Sequence, residues 1–466
     1  MGTPRREMGG AIWGDTSRVL KLAAPVAVAE LGWMGMGVVD TIMVGRLGPA
    51  AIGAIGIGSS AFYSFAIFGV GLLLGLDTLV SQAFGAGDRE DCHHSLAQGV
   101  YIALLLSPLL TVLFAVFGPV FYALGIVPQV SALAGPFLAS LGWSTFPLLL
   151  YGAFRRYLQA MGHVGSVMFA LVTANLINWL FNWVFIYGHW GASPLGVIGS
   201  ALSTCLARVY MAAVLLFFIW YFERKQAGLR SGFGNILRKP DWTRIRLLLR
   251  IGLPAATQVL LEIAAFGAAA VMAGRLTPVA LAAHQIALYC AAVSFMVPLG
   301  IASAAAVSVG QAIGRSEPRS ARRSGFIAIG LACVFMACSA ATFLLAPRPL
   351  LRVYTNDGAV IAIGTGLLAW AAFFQLFDGI QTVATGALRG LGNTRMAMLV
   401  NLGGYWFFGL PIGYLLCFRY GYGIYGVWCG LSLALVVIAL FLLQYWNRCS
   451  RDIEPGRFFT TAAHES

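Results

Sequence analysis

Charge is what this chain has least of. Asp, Glu, Lys and Arg together make up 10% of its 466 residues, against roughly a quarter in ordinary soluble domains. Acids are the scarcer sign, 17 against 30 basic residues. The eight cysteines include no Cys-x-x-Cys pair, so no disulfide framework is implied. No Gly-x-x-x-x-Gly-Lys-Ser/Thr stretch occurs, so ATP does not drive this chain through a phosphate loop of its own. No nucleophile–base or metal-ligand constellation stands out; His93 and His94 lack metal spacing and read as solvated. An enzyme is therefore not expected, and no cofactor is. No cleavable signal peptide is evident either, because the first apolar segment is too long and lacks a small-residue cleavage site.

What is abundant is apolar: hydrophobic residues are 59% of the chain. Runs of about 20 such residues, each long enough to cross a bilayer, recur twelve times: near 19–43, 53–82, 95–117, 131–152, 164–188, 196–221, 247–273, 283–312, 324–346, 360–386, 396–417 and 424–446. The fold class is thus all-α integral membrane. The net charge of +13 could suggest nucleic acid, but its placement argues otherwise. With twelve spans and a cytoplasmic N-terminus, 24 of the 30 basic residues fall on the cytoplasmic side. Five (Arg46, Arg275, Arg348, Arg352, Arg419) fall outside, and Arg208 lies within a span. This is the positive-inside bias of a multi-pass membrane protein. Both termini are expected to be cytoplasmic, and the basic charge meets lipid headgroups, not nucleic acid.

The chain is also written twice. At an offset of 229, Pro25 meets Pro254, Gly45-Arg46-Leu47 meets Gly274-Arg275-Leu276, Pro49 meets Pro278, Gly71 meets Gly300, and Gln82-Ala83 meets Gln311-Ala312. Each repeat holds six spans. An even number returns the chain to its starting side, so the copies enter the membrane in the same sense and are related by a pseudo-two-fold along the membrane normal. The expected division is an N-terminal lobe over 1–222, a cytoplasmic linker over 223–246, and a C-terminal lobe with a short tail over 247–466. Pro25 and Pro254 fall inside the first span of each lobe, where proline frees a carbonyl and kinks a helix. In proteins of this build the site usually lies between the copies.

The intramembrane acids break the repeat. Asp40 meets Ala269, Asp77 meets Ala306, Glu262 meets Trp33 and Asp378 meets Leu148. Residues that build the six-helix unit should occur twice, so these serve something done once per molecule. Glu262 falls near mid-bilayer, where an ionised carboxylate costs a few kcal/mol or more. It must be neutral, paired, ion-bound or wetted, and such a group can trade one cation for another. Asp378 stands deep in the tenth span. Gln375 and Gln381 lie three residues either side of it, and Gln258 one turn before Glu262. These residues make a candidate cation site, with Na+ a possible ion at Glu262 and Asp378. Asp40 ends the first span. Asn175, Asn178 and Asn182 share one face of the fifth, so a second polar site is expected there. Arg208 needs an acid, and Asp77 or Glu30 are the candidates. His284, at an outer helix start, reads as interfacial.

Taken together, Val39-Asp40-Thr41 with Gly45, Gln82 with Gly85 and Gly87, Ala283-His284-Gln285-Ile286, and Gly386-Ala387-Leu388-Arg389-Gly390 with Gly392 and Thr394 resemble the multidrug and toxic compound extrusion (MATE) family, in its NorM-like branch. The resemblance implies a V-shaped pair of six-helix bundles. It also implies export of cationic, amphipathic organic compounds by antiport with Na+ or H+. The expected setting is a bacterial inner membrane, with the chain working as a monomer. The family's essential acids fall on Asp40, Glu262 and Asp378. Na+-driven members often carry Tyr four residues before the equivalent of Asp378; this chain has Phe374, which joins the amides as expected cavity lining. The alternative is a flippase for lipid-linked oligosaccharides or another lipid, which would be expected to line its cleft with arginines. Only Arg208 is intramembrane here.

Overall fold

The computed structural model describes residues 4–227 and 239–453; the middle of the expected linker and the end of the tail lie outside the described residues. Within them the chain is helical and contains no strand. In order, the helices are α1 (Pro4–Gly45), α2 (Pro49–Leu72), α3 (Gly75–Gly85), α4 (Arg89–Val116), α5 (Gly118–Ala123), α6 (Pro128–Gly142), α7 (Thr145–Ala160), α8 (Val164–Tyr187), α9 (Val197–Ala227), α10 (Trp242–Gly274), α11 (Pro278–Gly314), α12 (Pro318–Leu345), α13 (Pro347–Arg352), α14 (Gly358–Gly390), α15 (Arg395–Asn401), α16 (Leu410–Tyr414) and α17 (Ile424–Cys449). Two π-helical segments, Leu402–Gly409 and Leu415–Arg419, flank α16. Among the described residues eleven helices or joined helices are long and apolar enough to span a membrane. The pair Pro128–Gly142 and Thr145–Ala160, bent by 49°, makes a twelfth. Each of the twelve expected segments coincides with one of these.

Local chemistry sets the starts and stops. Proline opens α2, α6, α11 and α12, where its missing N–H removes one of the unpaired donors of a first turn. The Thr277 side chain caps α11 by accepting from Ala280 N at 3.1 Å. Asp357 caps α14 by accepting from Ala359 N at 2.8 Å and Val360 N at 3.2 Å. Gly188, at φ 78°, closes α8 in the left-handed conformation that residues with a Cβ avoid.

The helices form two compact units. Among the described residues, one holds 28–84, 88–227 and 239–256; the other holds the segment ending at Ala27, residues 85–87 and residues 257–453. Each unit therefore packs the leading segment of the opposite repeat's first span. Pro25 and Pro254 sit two residues before the ends of those segments. The packing repeats as the sequence does. A methyl on Gly71 would meet Ala256 Cα at 2.7 Å, and one on Gly300 would meet Ala27 Cα at 2.7 Å. Both partners of the second contact lie 229 residues from those of the first.

Within the first unit α2 packs on α6, α8 on α9, and α7 on both α4 and α9. Within the second, α14 is central and contacts α11, α12 and α17. Arginines in the first unit are tied down by acids: Arg155 to Glu30, Arg156 Nη1 to Asp77 Oδ2 at 3.3 Å, and Arg244 to Asp91. His93 and His94 are not free side chains as expected. His93 Nε2 lies 2.9 Å from Glu223 Oε1 and His94 Nε2 3.4 Å from Asp241 Oδ2, because the ends of α9 and α10 return to the start of α4.

Candidate functional site

In the second unit α10 and α14 bring two acids to one amide. Gln381 Nε2 donates to Glu262 Oε1 at 3.0 Å and to Asp378 Oδ1 at 3.3 Å. Gln258 Nε2, one turn before Glu262 on α10, donates to Glu262 Oε2 at 3.2 Å. Asp378 and Gln381 share a face because they are three residues apart. Asp378, Gln381 and Gln258 are buried, and Glu262 is half-buried. No arginine, lysine or histidine forms an ion pair with either carboxylate among the described residues. Two acids thus meet on one donor without a counter-cation. The Gln381 Oε1 oxygen is buried and has no hydrogen-bond partner among the described residues. Together these are oxygen donors of the type that hard monovalent cations take.

Gln375 and Phe374 do not join this cluster. Gln375 Nε2 turns to α11 and α12, donating to Ser294 Oγ at 2.6 Å and Ser339 Oγ at 3.2 Å. Phe374 packs on Trp428 with centroids 5.6 Å apart. Trp428 Nε1 in turn donates to His284 Nδ1 at 3.0 Å. His284 is therefore not interfacial: it is fully buried, because α17 covers the first turns of α11 with the Trp428 ring. Tyr405 is a residue that sequence reading missed. Its ring is buried beside Phe266, one turn after Glu262 on α10, and its hydroxyl has no partner among the described residues. A π-helical turn sets its direction, and no α-helical periodicity announces such a turn. The same turn brings Trp406 Nε1 to the Leu261 carbonyl at 3.1 Å, next to Glu262.

The first unit holds a second cluster. Asn182 Nδ2 donates to Asp40 Oδ1 at 2.6 Å and to Asn178 Oδ1 at 3.1 Å. Thr204 Oγ1 donates to Asp40 Oδ2 at 3.1 Å, and Asn178 Nδ2 to Thr204 Oγ1 at 3.4 Å. The asparagine face of α8 does point at Asp40, for two of its three members. Asn175 instead clamps backbone, donating to Gly32 O at 3.1 Å and Leu171 O at 2.9 Å. Thr204 was not legible, because a lone threonine in an apolar span carries no pattern. Arg208 has neither of its expected partners, since Asp77 and Glu30 are held by Arg156 and Arg155.

A model of the MatE family matches residues 25–184 and 254–415, once in each repeat. The chain belongs to the MatE family. It is 35% identical over 455 residues, 96% of its length and 97% of the relative's, to the probable multidrug resistance protein NorM of Mesorhizobium japonicum. It is 37% identical over 441 residues to the protein of the same description from Rhodopseudomonas palustris, covering 93% and 92% of the two chains. Among solved structures it is similar to a MATE protein in the straight conformation, with a TM-score of 0.85 at 18% identity over 97% of both chains. It is also similar to the eukaryotic MATE transporter AtDTX14, with a TM-score of 0.83 at 20% identity over 95% and 98%. At those identities the structures speak for the fold of this MatE chain: all-helical and multi-pass. The family model ends each repeat before its sixth span, so Thr204 and Arg208 on α9 lie outside the matched residues.

Proposed function

We propose that this MatE protein is a secondary multidrug efflux transporter that exports cationic, amphipathic organic compounds in exchange for Na+ or H+. It is a membrane transporter and not an enzyme. The observation that carries the reading is the pair Glu262 and Asp378, two intramembrane acids joined through one amide nitrogen with no basic partner among the described residues. Two intramembrane carboxylates without a counter-charge are stable only with a cation or a proton upon them. The curated relatives described as multidrug resistance proteins point to organic substrates.

Each residue then has a task. Glu262 and Asp378 hold the coupling ion. Gln381 and Gln258 fix their oxygens, and Gln381 Oε1 and the Tyr405 hydroxyl add uncharged donors. Asp40, with Asn182, Asn178 and Thr204, forms a second cation-binding group in the other unit. Binding of the coupling ion favours one conformation and binding of the organic cation the other, and their difference in preference is the coupling. Transport takes place in the inner membrane of a bacterium, with both termini on the cytoplasmic side.

The test is ethidium efflux from proteoliposomes with Na+ and pH gradients imposed separately. Wild-type protein should move dye against its gradient only when one of the ions is driven. Glu262→Gln should reach the membrane in normal amount and lose at least about tenfold in rate, the loss of one interaction of about 1.4 kcal/mol. Wild-type efflux from that variant would sink the assignment. Dye flux that needs no ion gradient would mark a passive channel.

A further inference from the structure

The repeat sets Asp15 of α1 in register with Arg244 of α10, 229 residues on. It also sets α4 in register with α12, whose first residues, Arg89 and Pro318, are 229 apart. At matching places the two leading segments thus carry charges of opposite sign. Both are buried: Asp15 is 6% exposed and Arg244 3%. Both are paired, each with the corresponding helix of its unit. In the first unit Arg244 Nη2 pairs with Asp91 Oδ1 of α4. Ser95 Oγ, one turn further along α4, accepts from Arg244 Nη2 at 2.9 Å and from Nε at 3.2 Å. In the second unit Asp15 Oδ2 accepts from Arg323 Nε of α12, and Arg18 Nη1 lies 3.8 Å from Asp15 Oδ1. The counterpart of Asp91 in α12 is Ser320, and that of Arg323 in α4 is His94, which lies 3.4 Å from Asp241. The same two elements are therefore held by an ion pair in each unit, with its polarity reversed. Architecture alone asks for no reversal, since a repeat copied unchanged would carry one polarity twice.

We propose that this reversal is a docking code that assigns each leading segment to the opposite repeat. The face of α4 with Asp91 and Ser95 takes a segment bearing a base. The face of α12 with Arg323 takes a segment bearing an acid. Docked on its own repeat, the α1 segment would bring Asp15 against Asp91, and the α10 segment would bring Arg244 against Arg323. Each wrong docking sets two like charges together at a buried contact, where even an unpaired charge is strongly destabilising. Selection thus comes from repulsion in the wrong pairing as much as from attraction in the right one. Apolar packing does not supply the choice, because the repeat makes the two faces alike: Gly71 against Ala256 and Gly300 against Ala27 are one contact made twice.

The experiment uses the full chain, expressed in bacterial membranes and extracted in detergent, with the monodisperse yield and the melting temperature measured. Asp15→Arg or Arg244→Asp alone puts like charges in the native docking and should cut the yield several-fold. Arg244→Asp with Asp91→Arg keeps both native pairs but gives the two units one polarity, and the yield should stay several-fold below wild type. Adding Asp15→Arg and Arg323→Asp inverts all four charges and restores the difference between the units. That fourfold variant should return to wild-type yield and melting temperature. It carries the same local reversal as the double variant, so its recovery separates the code from the local fit around Arg244. Wild-type yield and melting in the double variant overturns the proposal, because polarity then sorts nothing. A fourfold variant no better than the double one overturns it as well. Should the single reversals fail to insert, the double and fourfold variants decide by themselves.

Discussion

At the scale of single residues, three of the four acids that broke the repeat gather amides, and the fourth, Asp77, pairs with Arg156. Asp40 lies on Asn182, and Glu262 and Asp378 lie on Gln381. An acid in lipid must find partners, and polar residues at helical spacing from it are where partners come from. That much was readable from composition and spacing. Thr204 and Tyr405 were not, because each reaches the site from a helix remote in sequence. Thr204 offers a way to separate the two candidate ions. Thr204→Val removes a hydroxyl that donates to Asp40, and a hydrogen bond to a charged group contributes about 1.5–3 kcal/mol. If Na+ binds at Asp40, the lost oxygen ligand should raise the half-saturating Na+ concentration about tenfold. If a proton binds, the lost donor no longer favours the ionised form, and the half-saturating proton concentration should fall. Transport titrated against each ion gives the sign directly; no change with either would remove Thr204 from the site.

At the scale of elements, glycine decides where helices touch. A Cβ on Gly386 of α14 would lie 2.2 Å from the Ala302 carbonyl oxygen of α11, an overlap with backbone that no rotamer relieves. Gly386→Ala should therefore destabilise the second unit by about 1–3 kcal/mol, the usual penalty of overpacking. Gly267 of α10 has nothing within 4 Å of the same position, and Gly267→Ala should be neutral or stabilise by up to about 1 kcal/mol. Melting in detergent, followed by intrinsic tryptophan fluorescence, tests both; equal behaviour of the two variants would refute the close-contact argument. The sequence carries no packing signal that tells the two glycines apart. The contact separates them, and contacts between helices are not a local property of the chain.

At the scale of the molecule, two units built on one repeat carry different acids: Asp40 in the first, Glu262 and Asp378 in the second. If each loads one monovalent ion per turnover against one monovalent drug cation, one net charge crosses per cycle. A membrane potential of 100 mV then changes the driving force by about 2.3 kcal/mol. Dye transport in vesicles with the potential clamped by potassium and valinomycin should accelerate or slow with the sign of the clamp, and Asp40→Asn should abolish that sensitivity. Potential-independent transport by the wild type would mean that one unit alone is loaded.

Hydrophobic run length, basic-residue placement and internal repetition were enough to determine the all-helical class, the number of spans and their pairing into two sets. These follow from the bilayer acting as a solvent on each segment separately. The three acids were legible for the same reason, since an isolated charge in an apolar run is conspicuous by itself. Only the tertiary structure decided what lies beside them. It exchanged the leading segments of the first spans between units, turned Phe374 and Gln375 away from the acids, brought Thr204 to Asp40, and left Arg208 without the partners expected of it. Each of these is set by which helices pack together. Hydropathy is blind to that choice, because one apolar face fits another about as well as it fits lipid.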